Sequence, residues 1–97
     1  DSPKGAVLWD ERIAMFNKAC AIDPHDTVVI EELSELIKAV SKINRCHNNE
    51  HLKSLMEEIA DVRIVIDRIM RKYNIKEDDV DKLVVFKINR FIDNYGI

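Results

Sequence analysis

Apolar residues along this chain recur at helical, not strand, spacing. Trp9, Ile13, Phe16 and Cys20 make one stripe, predicting an amphipathic helix from about Ala6 to Ala21. Val29, Leu33, Leu36, Ile37, Val40 and Ile43 make a second, from Asp26 or Thr27 as N-cap to about Arg45. Leu55, Ile59, Val62, Val65, Ile66 and Ile69 make a third, from about Glu50 to Tyr73. A fourth helix is expected from Glu77, Asp78 and Asp79, whose charges suit a helix N-terminus, to about Asn94, with Gly96 as the stop. IDPHD, with Pro24 disfavouring helix before it, separates the first two helices; CHNNE and NIKEDD make the other links. No period-two alternation and no internal repeat interrupts this series. The expectation is an all-α, four-helix bundle-like fold in a single domain spanning 1–97, with 1–5 as a flexible lead-in.

The polar positions that break this pattern carry the chemistry. On the second helix Glu32 projects inside the edge of the apolar arc, between Ala39 and Ile43, and Glu35 lies beside Val28. The third helix repeats the arrangement: Glu58 falls between Val65 and Ile69, and Asp61 lies beside Val65. Glu31 and Glu57 point to the solvated side. A carboxylate at an apolar interface costs several kcal/mol unless a cation or metal compensates it. Four on facing surfaces repel one another and raise their own pKa values. Such a set builds a poor core and a good divalent-metal site. On the fourth helix, Lys87 projects between Val80 and Leu83, with Arg90 beside Leu83, so both are expected on an inward face. They are candidates for pairing with the carboxylates or for binding phosphates. Arg63, Arg68, Arg71 and Lys72 are expected to be solvated, with Arg68 and Lys72, on the Asp61 side, the two exceptions to look for.

Composition narrows the alternatives. Ninety-seven residues fit one small core, and two Gly and two Pro suit long helices with few turns. A net charge of -3 lacks the basic footprint of general nucleic-acid binding. No apolar run reaches the ~20 residues of a membrane span and no signal-peptide pattern is present, so a cytoplasmic location is expected. Cys20 and Cys46 make no disulfide framework. Cys46, His47 and His51 lack a further ligand for a closed zinc site. A di-iron bundle wants Glu-x-x-His, and none of His25, His47 or His51 has Glu three positions before it. Ser34, Ser41 and Ser54 lack a basic partner at catalytic spacing.

Glu32-x-x-Glu35, 22 intervening residues, then Glu58-x-x-Asp61 resembles the ExxE…ExxD signature of MazG-type nucleoside triphosphate pyrophosphohydrolases, of the all-α NTP pyrophosphatase superfamily. EELSE and EEIAD match the fuller forms of that signature, and KINR, with Lys87 and Arg90, resembles the basic pair in the last helix of short MazG-like proteins. The resemblance covers roughly His25 to Ile92, and the polar position often found before EExxE falls on His25 or Asp26. It implies Mg²⁺, with Mn²⁺ as a substitute, held by Glu32, Glu35, Glu58 and Asp61. It implies cleavage of an NTP or dNTP between the α- and β-phosphates to monophosphate and pyrophosphate. Lys87 and Arg90 would contact the triphosphate; Glu35 and Glu58 would be the catalytic carboxylates, with Glu35 orienting the water. The resemblance and the apolar Val85, Phe86, Ile88 and Ile92 imply a homodimer or homotetramer. The rival expectation is a non-enzymatic helical dimerisation module with a vestigial acidic metal site.

Overall fold

The computed structural model describes residues 3–20 and 25–96, with side chains described at 10–19 and 25–96. These residues form four helices, α1 Pro3–Cys20, α2 Thr27–Arg45, α3 Asn49–Lys72 and α4 Glu77–Tyr95, and no strand. The fold is all-α. Helix α1 begins at Pro3, three residues before the expected start, so the expected lead-in is partly helix. Proline suits a first helical position, because its missing N–H is one the helix leaves unpaired there anyway.

Helices α2 and α3 form the packed centre of the chain. A three-residue link, Cys46 to Asn48, turns the chain back on itself, so the two run as antiparallel neighbours. Asn48 caps α3 by accepting a hydrogen bond from the His51 backbone N–H at 2.7 Å. The His51 ring in turn meets the Cys46 carbonyl, Nδ1 to O 2.6 Å. His51 thus closes the link, and among the described residues neither it nor His47 belongs to a metal-capable cluster.

The far end of α3 closes with a left-handed residue, Asn74 at φ 53°. The Asn74 N–H donates to the Arg71 carbonyl at 3.3 Å and the Ile75 N–H to the Met70 carbonyl at 2.8 Å, the paired bonds of a Schellman stop. Asparagine tolerates this conformation better than most residues. Helix α4 then stops at Gly96, left-handed at φ 65°, where glycine carries no Cβ penalty.

The buried core is small. Among the described residues Ile13, Ala39, Val62 and Val65 are the buried apolar side chains, and Arg68 is buried with them. Phe16 is half-buried; the Trp9 and Cys20 side chains expected on the same α1 stripe lie outside the described residues. Much of each predicted arc stays uncovered, including Leu33, Ile37 and Val40 on α2 and Ile59 and Ile66 on α3. Helix α4 has no buried residue. The radius of gyration, 16.7 Å, exceeds the roughly 12.5 Å of a compact chain of this length. Among the described residues, the close helix packing is that of α2 on α3. No described helix is long and apolar enough to cross a membrane.

Candidate metal centre

The antiparallel packing of α2 on α3 sets the site by register. Positions facing each other across such a pair have a nearly constant sum of residue numbers. Glu32 is accordingly level with Asp61, and Glu58 lies one turn earlier on α3. The structure brings Glu32, Glu58 and Asp61 together, with one carboxylate oxygen from each lying within 4.8 Å of the others. All three are half-buried. A small cavity of about 60 Å³ adjoins them, lined by Glu32 and Asp61 with Phe16, Val28, Ile64 and Val65. The carboxylates thus face apolar surface on one side, which is what their place within the apolar arcs predicted.

Electrostatics follow from this crowding. The Glu32 carboxyl is raised above its ordinary value of 4.5, first by burial, then by the charges of Asp61 and Glu58, by a hydrogen bond to Asp61, and by Glu35. Each cause penalises the ionised form or favours the proton. Glu58 contributes a further sign of unmet demand, since its Oε2 is buried and has no hydrogen-bond partner. A buried carboxylate oxygen ordinarily finds a donor.

Glu35 stands outside the group of three. It is exposed and pairs with Lys38, Oε1 to Nζ 3.2 Å, one turn further along α2. Three residues of helix turn a side chain by about 300°, so Glu35 lies about 60° around α2 from Glu32, on the solvent side. Spacing alone put both on one face; the difference lies in the width of that face. Lys87 and Arg90 also differ from expectation. Both are exposed on α4, and neither pairs with a carboxylate. Arg90 instead lies over the Phe86 ring of its own helix, 5.7 Å from the centroid. Their inward assignment followed α4's own apolar arc, of which Val80 is half-buried and Leu83, Val84 and Phe91 are exposed.

Asp26 has a different role from the cap its sequence position suggested. It is the N-cap of α2, but left-handed at φ 53° and without a side-chain capping bond. Its carboxylate instead reaches α3, meeting the Arg68 guanidinium at 3.1 Å and accepting from Lys72 Nζ at 2.6 Å. Arg68 and Lys72 are thus the exceptions among the basic residues of α3. Arg71, by contrast, pairs locally with Asp67, Nε to Oδ2 2.7 Å. The signal was present in the sequence as two bases four apart on the Asp61 side of α3, but it did not name their partner.

Comparison with known proteins adds no family: no family model matches the chain, and no curated protein and no solved structure matches it.

The donor set fits a hard divalent cation. Three carboxylates supply oxygen only, with no sulfur or imidazole to favour a softer metal. Two oxygens on one Mg²⁺ at 2.0–2.1 Å lie about 2.9 Å apart when adjacent and about 4.2 Å when opposite. The three oxygens lie within 4.8 Å of one another, close to that range. A bound cation would remove the mutual repulsion of the three acids and give Glu58 Oε2 its missing partner.

Proposed function

We propose that the protein is a Mg²⁺-dependent nucleoside triphosphate pyrophosphohydrolase of the MazG type, cleaving (d)NTP between the α- and β-phosphates in nucleotide-pool house-cleaning. The observation that carries this reading is the convergence of Glu32, Glu58 and Asp61 from two helices on one point. Glu32, Glu58 and Asp61 would hold the divalent ion, whose chemistry there would be charge neutralisation of phosphate and activation of water. Glu35 is the fourth carboxylate, and it orients the attacking water by swinging from Lys38 towards Glu58. An exposed pair worth roughly 0–1 kcal/mol does not hold it back. Lys87 and Arg90 take the outer phosphates, where charge-assisted hydrogen bonds to a triphosphate are strongest.

The same reading includes a homodimer or homotetramer. Leu83, Val84, Val85, Phe86, Ile88 and Phe91 are all exposed on α4. An apolar groove of about 980 Å³ also lies open over the outer side of α3, between Ile13 and Glu77. Monomeric soluble proteins rarely leave so much contiguous apolar surface uncovered. The exposed α4 also favours the second reading, a helical interaction module in which the acidic group is vestigial. Product analysis on a panel of NTPs and dNTPs, with Mg²⁺ and with EDTA, separates the two. Monophosphate and pyrophosphate, dependent on metal and lost in Glu58→Gln, are the expected result. Diphosphate and phosphate would reject the cleavage position, and no turnover on any nucleotide would favour the interaction module.

A further inference from the structure

We infer that Asp26, Arg68 and Lys72 form a clamp that sets the register of α2 against α3 and so positions the three carboxylates of the metal centre. The inference rests on the metal-binding reading above and adds to it residues that touch neither metal nor substrate.

Three features single the clamp out from ordinary ion pairs. The first is burial: Arg68 is 6 % exposed and its Asp26 partner 14 %, whereas the pairs Lys38–Glu35 and Arg71–Asp67 are at the surface. A charge is seldom buried this deeply unless its partner is fixed. The second is local sacrifice. Asp26 holds a left-handed backbone and gives up the capping bond to its own helix, spending its carboxylate on α3. Local preference alone would put the side chain back on α2. Lys72 is raised above its usual value, first by its hydrogen bond to Asp26, as expected of a base held against an acid.

The third feature is registry. Asp26 precedes Glu32 by six residues, about 9 Å along α2 at ~1.5 Å per residue. Arg68 follows Asp61 by seven, about 10.5 Å along α3 on the same scale. The two levels therefore coincide, and seven residues bring a side chain back to nearly the same face of a helix. When Asp26 meets Arg68, Glu32 meets Asp61. A slip of one turn away from Glu58 would carry Glu32 about 5.4 Å along the interface, leaving it two turns from the level of Glu58. The clamp also acts against a force: the three acids repel one another across the interface, and the opposite charges two turns away hold the helices together.

The test is Mn²⁺ affinity, read by the electron paramagnetic resonance of the free ion, on the full chain well below each variant's unfolding midpoint. Wild type and Asp26→Asn are compared, with Glu58→Gln as the site control. The expected result is Mn²⁺ binding by wild type, its loss in Glu58→Gln, and about tenfold weaker binding in Asp26→Asn, near the lower bound for losing a supporting contact of a metal site. Arg68→Lys, which keeps the charge, should recover most of the affinity that Arg68→Gln loses. Unchanged affinity in folded Asp26→Asn overturns the clamp's positioning role and leaves the metal centre standing. No Mn²⁺ binding by wild type overturns the metal centre itself, and the positioning role with it. If Asp26→Asn does not fold, Lys72→Met removes only the outer, more exposed half of the clamp. A measurable loss of affinity there supports the inference, and none overturns it.

Discussion

Helices α3 and α4 are both amphipathic, and both carry charged residues at the edge of an apolar arc. Their fates differ. Helix α3 buries Val62, Val65 and Arg68 against its neighbours and presents Glu58 and Asp61 to Glu32. Helix α4 has no fully buried residue, only the half-buried Val80 and Ile92, and Lys87 and Arg90 are exposed. Periodicity identifies the face of a helix that needs cover, but it does not say what supplies the cover. A three-residue link forces α3 back onto α2. After the left-handed Asn74, α4 follows with most of its apolar side chains exposed.

This contrast can be broken from either side. The largest effect is expected at the site: Glu58→Gln should lower Mg²⁺-dependent turnover at least about a hundredfold, the scale of losing one preorganised group that stabilises transition-state charge. Glu57→Gln, one position along α3 and exposed, should leave turnover near wild type. Parallel steady-state kinetics on the two variants would check this. Equal losses would show that the inward position of Glu58 is irrelevant.

Stability should show the same contrast more mildly. Val65 is the most buried side chain described, 1 % exposed, and Val65→Ala should cost about 2 kcal/mol through lost burial and the cavity left behind. Leu83→Ala on α4 should change the dilute protein by less than about 0.5 kcal/mol, as exposed sites usually do. Urea unfolding across a range of protein concentrations sharpens the comparison. If the Leu83→Ala penalty grows with concentration, α4 is covered by another copy. If it is already large in the dilute limit, α4 packs within the chain.

A smaller, pH-dependent effect belongs to Glu32. Its folded value lies above 4.5, so the folded state binds this proton more tightly than the unfolded chain. Above the raised value the ionised Glu32 works against folding, and that penalty is relieved as pH falls through the raised value towards 4.5. Glu32→Gln should therefore be more stable than wild type at pH 7 without metal, and the gap should narrow on acidification, as followed by thermal unfolding. Saturating Mg²⁺ should also narrow it, by stabilising wild type alone. The smallest effect is at Asp67, whose exposed pair with Arg71 is worth about 0.3–0.5 kcal/mol. Asp67→Asn should lose that much, and less at high salt.

The sequence made the four helices legible because their apolar residues are regular and the links holding Asn48 and Asn74, with Gly96, mark the breaks, while the expected break at Pro24 lies outside the described residues. Three of the four predicted carboxylates meet because one helical turn separates Glu58 from Asp61 and because Glu32 lies deep enough in its arc. Glu35 sits at the margin of the same arc, where a difference of about 60° decides between interface and solvent. Asp26 was legible as a residue before a helix but not as a partner for Arg68, since a pairing across 42 positions depends on the register of two helices. No single-helix pattern encodes that register. The exposure of α4 was illegible for a related reason: Phe86 and Ile88 are apolar within a helical pattern, and nothing in that pattern says whether another element covers them.

The proposed function requires Glu32, Glu58 and Asp61 to hold one divalent cation jointly across α2 and α3. Its most direct test is the anomalous diffraction of crystals grown with Mn²⁺. The expected result is a peak within coordination distance of an oxygen from each of the three side chains. An ion bound elsewhere, or none at saturating Mn²⁺ with the three carboxylates spread apart, would contradict it.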